Sequence, residues 1–310
     1  MAQIAFLFAG QGAQYPGMGE RLYRSSPAAR EIFDACEAIR PGTIEQCFHS
    51  NMEELSLTIN TQPCLFAMDL ACAAALDEAG VHASCAAGFS LGEIAAVAYC
   101  GLLSVQDAFR LVCRRAELMS QCSQEHPGAM SAILKLSEEQ VRALCEKYSS
   151  VFPVNFNCPG QTVVSGEEGQ LAQLEQDVAA AKGRAMRLKV SGCFHTPHME
   201  NASKGLREFM SGLAFGQPAL PLYANATAAP YTLESAEALL SRQVKSPVLW
   251  QKTIETMLQS GVTAFVEVGA GKTLTGFMRK ITKNALACNV ESPETLQEAV
   301  SQLKGENHGK

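Results

Sequence analysis

At 310 residues, 47% hydrophobic and 18% charged, the chain is long enough to bury roughly three quarters of its unfolded surface, as one large domain or two unequal ones. A formal net charge of −6 without a basic run excludes the concentrated positive face that nucleic-acid binding needs. Twelve cysteines scattered singly, with no Cys-x-x-Cys, read as small core residues rather than a disulfide or metal framework.

Ile4 to Phe8 is continuously apolar, as a strand covered on both faces must be. Ile4 to Ala9 lacks a basic leader and is too short for a membrane span, so a cytoplasmic protein without a membrane partner is expected. Ser26-Pro27 opens a helix. Thr61 to Pro63 opens another that runs to Ala79 and stops at Gly80 in the position after its C-cap. A small-residue strand, Ser84 to Ala87, then meets Gly88-Phe89-Ser90-Leu91-Gly92-Glu93, and a helical segment follows from Ile94 to Cys100. Strand, Gly-x-Ser-x-Gly and helix in that order make a nucleophile elbow: the glycines permit a sharp turn, and the helix N-terminus aims unpaired N–H groups at the serine. Ser104 to Asp107 resembles a capping box for a helix to about Cys122.

From about 125 to 190 the rhythm changes. The spacing predicts strand Ala129–Lys135, helix Glu138–Tyr148 capped by Ser137, strands Val151–Asn157 and Thr162–Ser165, helix Glu167–Lys182 and strand Arg184–Lys189. That β-α-β-β-α-β order is ferredoxin-like and long enough for an inserted subdomain. Residues 1–124 and 197–310 are assigned to the large domain and 125–196 to the small one. The remainder reads as a helix after Pro197, helices Ser235–Val244 and Trp250–Gln259, strand Ala264–Val268 and a last helix near Glu294–Leu303. Alternating strands and helices imply an α/β fold with a parallel sheet.

A serine elbow needs a base. Of six histidines, His195 and His198 lie in the Gly/Pro-bounded turn from Ser191 to Pro197, where the chain crosses between the two domains and one of the pair can face a cleft. The same pair is also half of a metal site, but no third ligand cluster accompanies it, so no metal is assigned. Gly269-Ala-Gly271-Lys272-Thr273 mimics the end of a P-loop, yet Val266 stands where its first glycine belongs. Gly10-Gln11-Gly12 lacks the third glycine of a dinucleotide fingerprint, since position 15 is Tyr15. Its backbone N–H groups still suit half of an oxyanion hole. Arg114 and Arg115 point about 100° apart on a helix, so only one of them can face a pocket and clamp a carboxylate.

Taken together, Phe8 to Gln14, Thr61-Gln62-Pro63, Gly88 to Glu93, Arg115, Val154 to Gln161, Phe194-His195, Gln243 to Trp250 and Glu267 to Lys272 resemble the malonyl-CoA:acyl-carrier-protein transacylases in order along nearly the whole chain. The resemblance implies an α/β-hydrolase-like large domain with a ferredoxin-like small subdomain. It further implies Ser90 as the acylated nucleophile, His195 as its base, and the main-chain carbonyl of Gln243 as the group that orients the imidazole. The N–H groups of Gln11 and Leu91 would form the oxyanion hole, Arg115 would grip the malonyl carboxylate, and Phe194 would crowd a 2-methyl branch. His198 becomes a bystander. Malonyl-CoA and acyl carrier protein are the implied substrates, no cofactor is called for, and a monomer suffices. Position 89 is Phe89 where most members carry histidine, and Ala9 and Ala270 replace other usual residues.

The rival readings are a free-standing acyltransferase serving a polyketide synthase, a serine thioesterase or esterase, and a non-catalytic carrier-docking subunit. An esterase gives Arg115 no task, and intact Ser90, His195 and Arg115 argue against the last. Basic clusters at Lys182, Arg184, Arg187 and Lys189, and at Lys272, Arg279, Lys280 and Lys283, are candidates for meeting an acidic carrier protein and the phosphates of CoA.

Overall fold

A computed structural model describes residues 3–190 and 192–305; Ser191 of the turn and His308 lie outside the described residues. Nine strands are present there: β1 (Ile4–Phe8), β2 (Cys85–Gly88), β3 (Ala129–Leu134), β4 (Val151–Cys158), β5 (Gln161–Gly166), β6 (Arg184–Arg187), β7 (Leu222–Tyr223), β8 (Ala264–Val268) and β9 (Leu286–Val290). Five pair in parallel in the order β7-β2-β1-β8-β9, and four form a separate antiparallel sheet in the order β4-β5-β3-β6. The molecule is therefore mixed α/β with a parallel sheet, as the alternation of elements implies.

The register of the parallel sheet positions the site. Phe8 stands opposite Gly88 on one side and Val268 on the other. The loops that leave β1, β2 and β8 consequently emerge side by side at the carboxyl edge, the usual place for ligands in open α/β sheets. Phe6, Leu7 and Phe8 are fully buried because helices cover both faces. One of these, Thr58–Glu78, is long and apolar enough to cross a membrane, but 89% of its apolar stretch is buried within the protein. It is a core helix, apolar all round.

That helix begins one turn earlier than Thr61, and Pro63 lies inside it. The extra turn forms because the N–H groups of Asn60 and Thr61 reach the Leu57 carbonyl (2.8 Å each) and the Thr61 hydroxyl joins them at 3.1 Å. The helix after Ser104 runs on to Glu125. Helix Thr273–Ile281 and strands β7 and β9 add to the expected elements, while β1, β8 and helix Trp250–Gln259 fall on the residues the sequence indicates.

Main-chain hydrogen bonds tie the loop at Val248 to the antiparallel sheet. Val248 donates to the Val154 carbonyl at 2.7 Å and accepts from Phe156 N–H at 3.0 Å. The segment after helix Leu233–Gln243 is thus held against β4, and His195 N–H donates to Val244 O at 2.9 Å. One short stretch of backbone thereby fixes both Gln243 and His195.

Candidate active site

The elbow forms where the sequence places it. Ser90 has φ 52° between β2 and helix Gly92–Tyr99, a left-handed conformation that costs a non-glycine residue on the order of 1–3 kcal/mol. Only glycine fits at its flanks: a Cβ on Gly88 would lie 1.9 Å from the Gly92 carbonyl carbon. Asn225 holds the turn from beneath, accepting Ser90 N–H at 2.7 Å and donating to Gly88 O at 2.6 Å.

Ser90 Oγ lies 2.7 Å from His195 Nε2. His195 Nδ1 faces two carbonyl oxygens, Gln243 O at 3.1 Å and Ser246 O at 3.0 Å. Carbonyls only accept, so Nδ1 carries the hydrogen and Nε2 is the free acceptor for the serine proton. Burial, and then the Arg115 charge, push the His195 pKa down to about 4 against the pull of the two carbonyls. At neutral pH the imidazole is an unprotonated base. Its φ of 61° is a second strained backbone position in the same site.

Of the two arginines, Arg115 is the one that lies beside Ser90. Its guanidinium is 1% exposed and donates from Nη2 to Ser90 Oγ at 3.2 Å and to Gln243 Oε1 at 2.9 Å, and from Nη1 to Gln62 Oε1 at 2.7 Å. Arg114 instead pairs with Glu117 at 2.9 Å on the surface. Burial lowers the Arg115 pKa to about 10, opposed by the Glu93 charge, so it stays a cation. Gln243 ties the site together, since its Nε2 donates to Ser90 O and to Glu93 Oε2, both at 2.6 Å. The fully buried Glu93 also accepts Asn225 N–H at 2.9 Å and the Tyr231 hydroxyl at 2.7 Å.

A cavity of about 60 Å³ opens over Ser90, bounded by Gln11, Arg115, Phe194 and His195 with Met119 and Leu188. It has room for a handful of waters, hence for a short acyl group. A second cavity of about 230 Å³ shares Gln11, Phe89, Asn155 and Leu188 with it and extends to Asn157, Gln161 and Phe277. Phe89 packs its ring 5.4 Å from Trp250 and 6.2 Å from Phe277, so its side chain walls the groove. Among the described residues no backbone acceptor or side chain takes the N–H of Gln11 or Leu91. The P-loop mimic is closed, because Glu267 accepts the N–H groups of Leu274 (2.9 Å) and Thr275 (2.7 Å) where a phosphate would have to sit. His198 stacks near His126 at 5.2 Å, away from Ser90.

Gln62, Glu93, Asn225, Tyr231 and Ser246 have no assigned task in the sequence reading. Gln62 stands within Thr61-Gln62-Pro63 and Glu93 at the end of the elbow motif, a local signal for both; Asn225 stands in a glycosylation-like triplet, and Tyr231 and Ser246 carry no local signal.

An acyl transferase domain model matches residues 5–303. The malonyl CoA-acyl carrier protein transacylase of Bacillus subtilis is 36% identical, covering 99% of both chains, and that of Staphylococcus aureus is 32% identical over 96% of this chain and 98% of its own. Among solved structures, the Clostridium perfringens malonyl CoA-acyl carrier protein transacylase superposes with TM-score 0.95 at 35% identity, covering 99% of this chain and 98% of that one. A malonyl-transacylase in complex with a type II PKS acyl-carrier protein gives TM-score 0.93 at 32% identity, over 97% of this chain and all of the other. With an elbow serine, a neutral imidazole and a buried guanidinium around one cavity, and with relatives matching from end to end, the chain belongs to the malonyl CoA-acyl carrier protein transacylases.

Proposed function

We propose that the protein transfers a malonyl group from malonyl-CoA to the phosphopantetheine thiol of acyl carrier protein through a malonyl-Ser90 ester, supplying extender units for fatty-acid synthesis. One observation carries this reading: Ser90 Oγ touches a base and a buried cation at once, His195 Nε2 at 2.7 Å and Arg115 Nη2 at 3.2 Å. A hydrolase of neutral esters has no use for the second.

In the first half-reaction the Ser90 proton passes to His195 Nε2 as Oγ attacks the thioester carbonyl. The N–H groups of Gln11 and Leu91 receive the developing oxyanion. Collapse breaks the carbon–sulfur bond, and His195 returns its proton to the departing CoA sulfur. The carrier thiol then gives its proton to His195, attacks the ester, and Ser90 recovers its hydrogen. Arg115 binds the malonyl carboxylate and fills the space where a hydrolytic water would stand. Phe194 limits branching next to the carbonyl. The larger cavity accommodates the pantetheine arm, and Lys182, Arg184, Lys189, Lys272, Arg279, Lys280 and Lys283 are the candidate cations for the carrier protein and the CoA phosphates, whereas Arg187 is held by Glu168 and Glu175.

We read the parallel-sheet part as α/β-hydrolase-like on the strength of its elbow after a central strand. The small sheet reads as a ferredoxin-like insertion within 125–196, supported by its β-α-β-β-α-β sequence and strand order. A single copy holds every residue named, and twelve cysteines without a disulfide among them suit a reducing cytoplasm. The reading is tested by following CoA release with and without carrier protein. Transfer gives one CoA per enzyme until carrier protein is added; continuous release of free acid in its absence contradicts it.

A further inference from the structure

Glu93 is fully buried and lies one side chain away from the group that is to hold the substrate. The connection is Arg115 Nη2 to Gln243 Oε1 at 2.9 Å, then Gln243 Nε2 to Glu93 Oε2 at 2.6 Å. In the empty site one buried guanidinium faces one buried carboxylate, and the charges cancel. Loading a malonyl group brings a second carboxylate to the same guanidinium, and an uncompensated buried charge is strongly unfavourable. Apart from Glu93, the ionisable groups facing this cluster are Arg115 from helix Val105–Glu125, His195 from the loop after β6, and Tyr231 from the loop before helix Leu233–Gln243. Arg115 stays protonated, and Tyr231 is pushed well above its ordinary range by burial. His195 needs its Nε2 free for the second half-reaction.

We propose that Glu93 takes up a proton from solvent when the malonyl group is loaded on Ser90, which offsets the negative charge that the malonyl carboxylate brings to the buried site. Three donors favour the ionised carboxylate in the empty enzyme against its burial: Asn225 N–H, Tyr231 O–H and Gln243 N–H. Of these the tyrosine hydroxyl can turn to accept a hydrogen bond from the protonated Glu93 carboxyl. Burial sets the Glu93 pKa at about 7 against the opposing effect of those donors and Arg115, within reach of a neighbouring charge. A second negative charge brought near a buried carboxyl raises its proton affinity on the order of tenfold. Written out, enzyme, malonyl-CoA and one proton give malonyl-enzyme with protonated Glu93 and free CoA thiol. Acetyl-CoA gives acetyl-enzyme and CoA thiol with no proton consumed.

The inference rests on malonyl-Ser90 being formed, so intact mass is recorded beside proton uptake, and the two can fail separately. In weak buffer with an indicator dye at pH 7.5, malonyl loading is expected to take up about half a proton and acetyl loading none. The equilibrium for malonyl loading should rise about sixfold from pH 8.5 to 6.5 by reciprocal linkage, with no such trend for acetyl. E93Q should load without uptake. Tyr231→Phe removes a donor that favours the ionised carboxylate and should move the midpoint to higher pH. Should E93Q not fold, the wild-type pH trend and the Tyr231→Phe shift decide alone. Uptake persisting in E93Q, uptake equal for acetyl, or a pH-independent malonyl equilibrium each overturns the proposal.

Discussion

Arg115→Met removes the cation while keeping most of the buried stem. The guanidinium is 1% exposed, with Gln62 and Gln243 fixing its plane, so a carboxylate bound to it is desolvated and paired in a set direction. Truncating one partner of such a buried pair costs about 2–5 kcal/mol. Taking about 3 kcal/mol, kcat/KM for malonyl-CoA falls roughly 150-fold. Acetyl-CoA has no carboxylate to lose, so its kcat/KM should change by less than about tenfold and the preference between the two collapses. The assay is intact-mass measurement of acyl-enzyme formed from each thioester over time. A second readout is built in: the Arg115 charge is, after burial, the larger cause of the depressed His195 pKa. Its removal should shift the acid limb of acetyl loading to higher pH. A folded Arg115→Met enzyme that kept its malonyl preference would falsify the assignment of the clamp.

Phe194→Ala enlarges the cavity beside Ser90 and should improve methylmalonyl loading relative to malonyl by about 10- to 100-fold, the worth of one methyl contact; an unchanged ratio of the two acyl-enzymes by mass refutes the role of the ring. Because His195 must be neutral to accept the serine proton and its pKa lies at about 4, acetyl loading should stay level from pH 8 to 5 and fall only below that. A stopped-flow profile with its inflection at the ordinary imidazole value of about 6.5 contradicts this. Asp69 is buried on the core helix, and neither of its carboxylate oxygens meets a hydrogen-bond partner among the described residues; burial, then Glu267, holds its pKa well above the carboxylate range. A group with a raised folded pKa loses its contribution to stability as pH rises. Asp69→Asn should therefore raise Tm at pH 8 more than at pH 4, and equal changes at both pH values in thermal melts count against it.

The legible parts of the molecule are those set by neighbours in sequence. Ile4 to Phe8 is apolar without alternation because β1 is covered on both faces, and Gly88 and Gly92 mark a turn that no Cβ could enter. Those features point directly to the parallel sheet and to the elbow that carries Ser90. The choice between Arg114 and Arg115 was not legible from spacing; it came with the family resemblance, and burial of one and the Glu117 pair of the other supply its physical reason. Helix Thr273–Ile281 carries Leu274, Phe277, Met278 and Ile281 at helical spacing, but its first residue also completes the Gly271-Lys272-Thr273 run that imitates a phosphate loop. Strand β7 has two residues and β9 is only partly covered, so neither shows a periodicity. The hidden layer of the site is long-range: Glu93 meets Asn225, Tyr231 and Gln243 across 132, 138 and 150 residues. No local pattern encodes such contacts.

The most direct test of the central claim is to mix the enzyme with malonyl-CoA, quench, map the acylated peptide, and repeat after adding holo acyl carrier protein. The account predicts a malonyl ester on Ser90 alone, absent in Ser90→Ala, that disappears as malonyl-carrier protein forms in equal amount. An adduct on another residue, or loss of the ester to free malonate at the same rate with or without carrier protein, contradicts it.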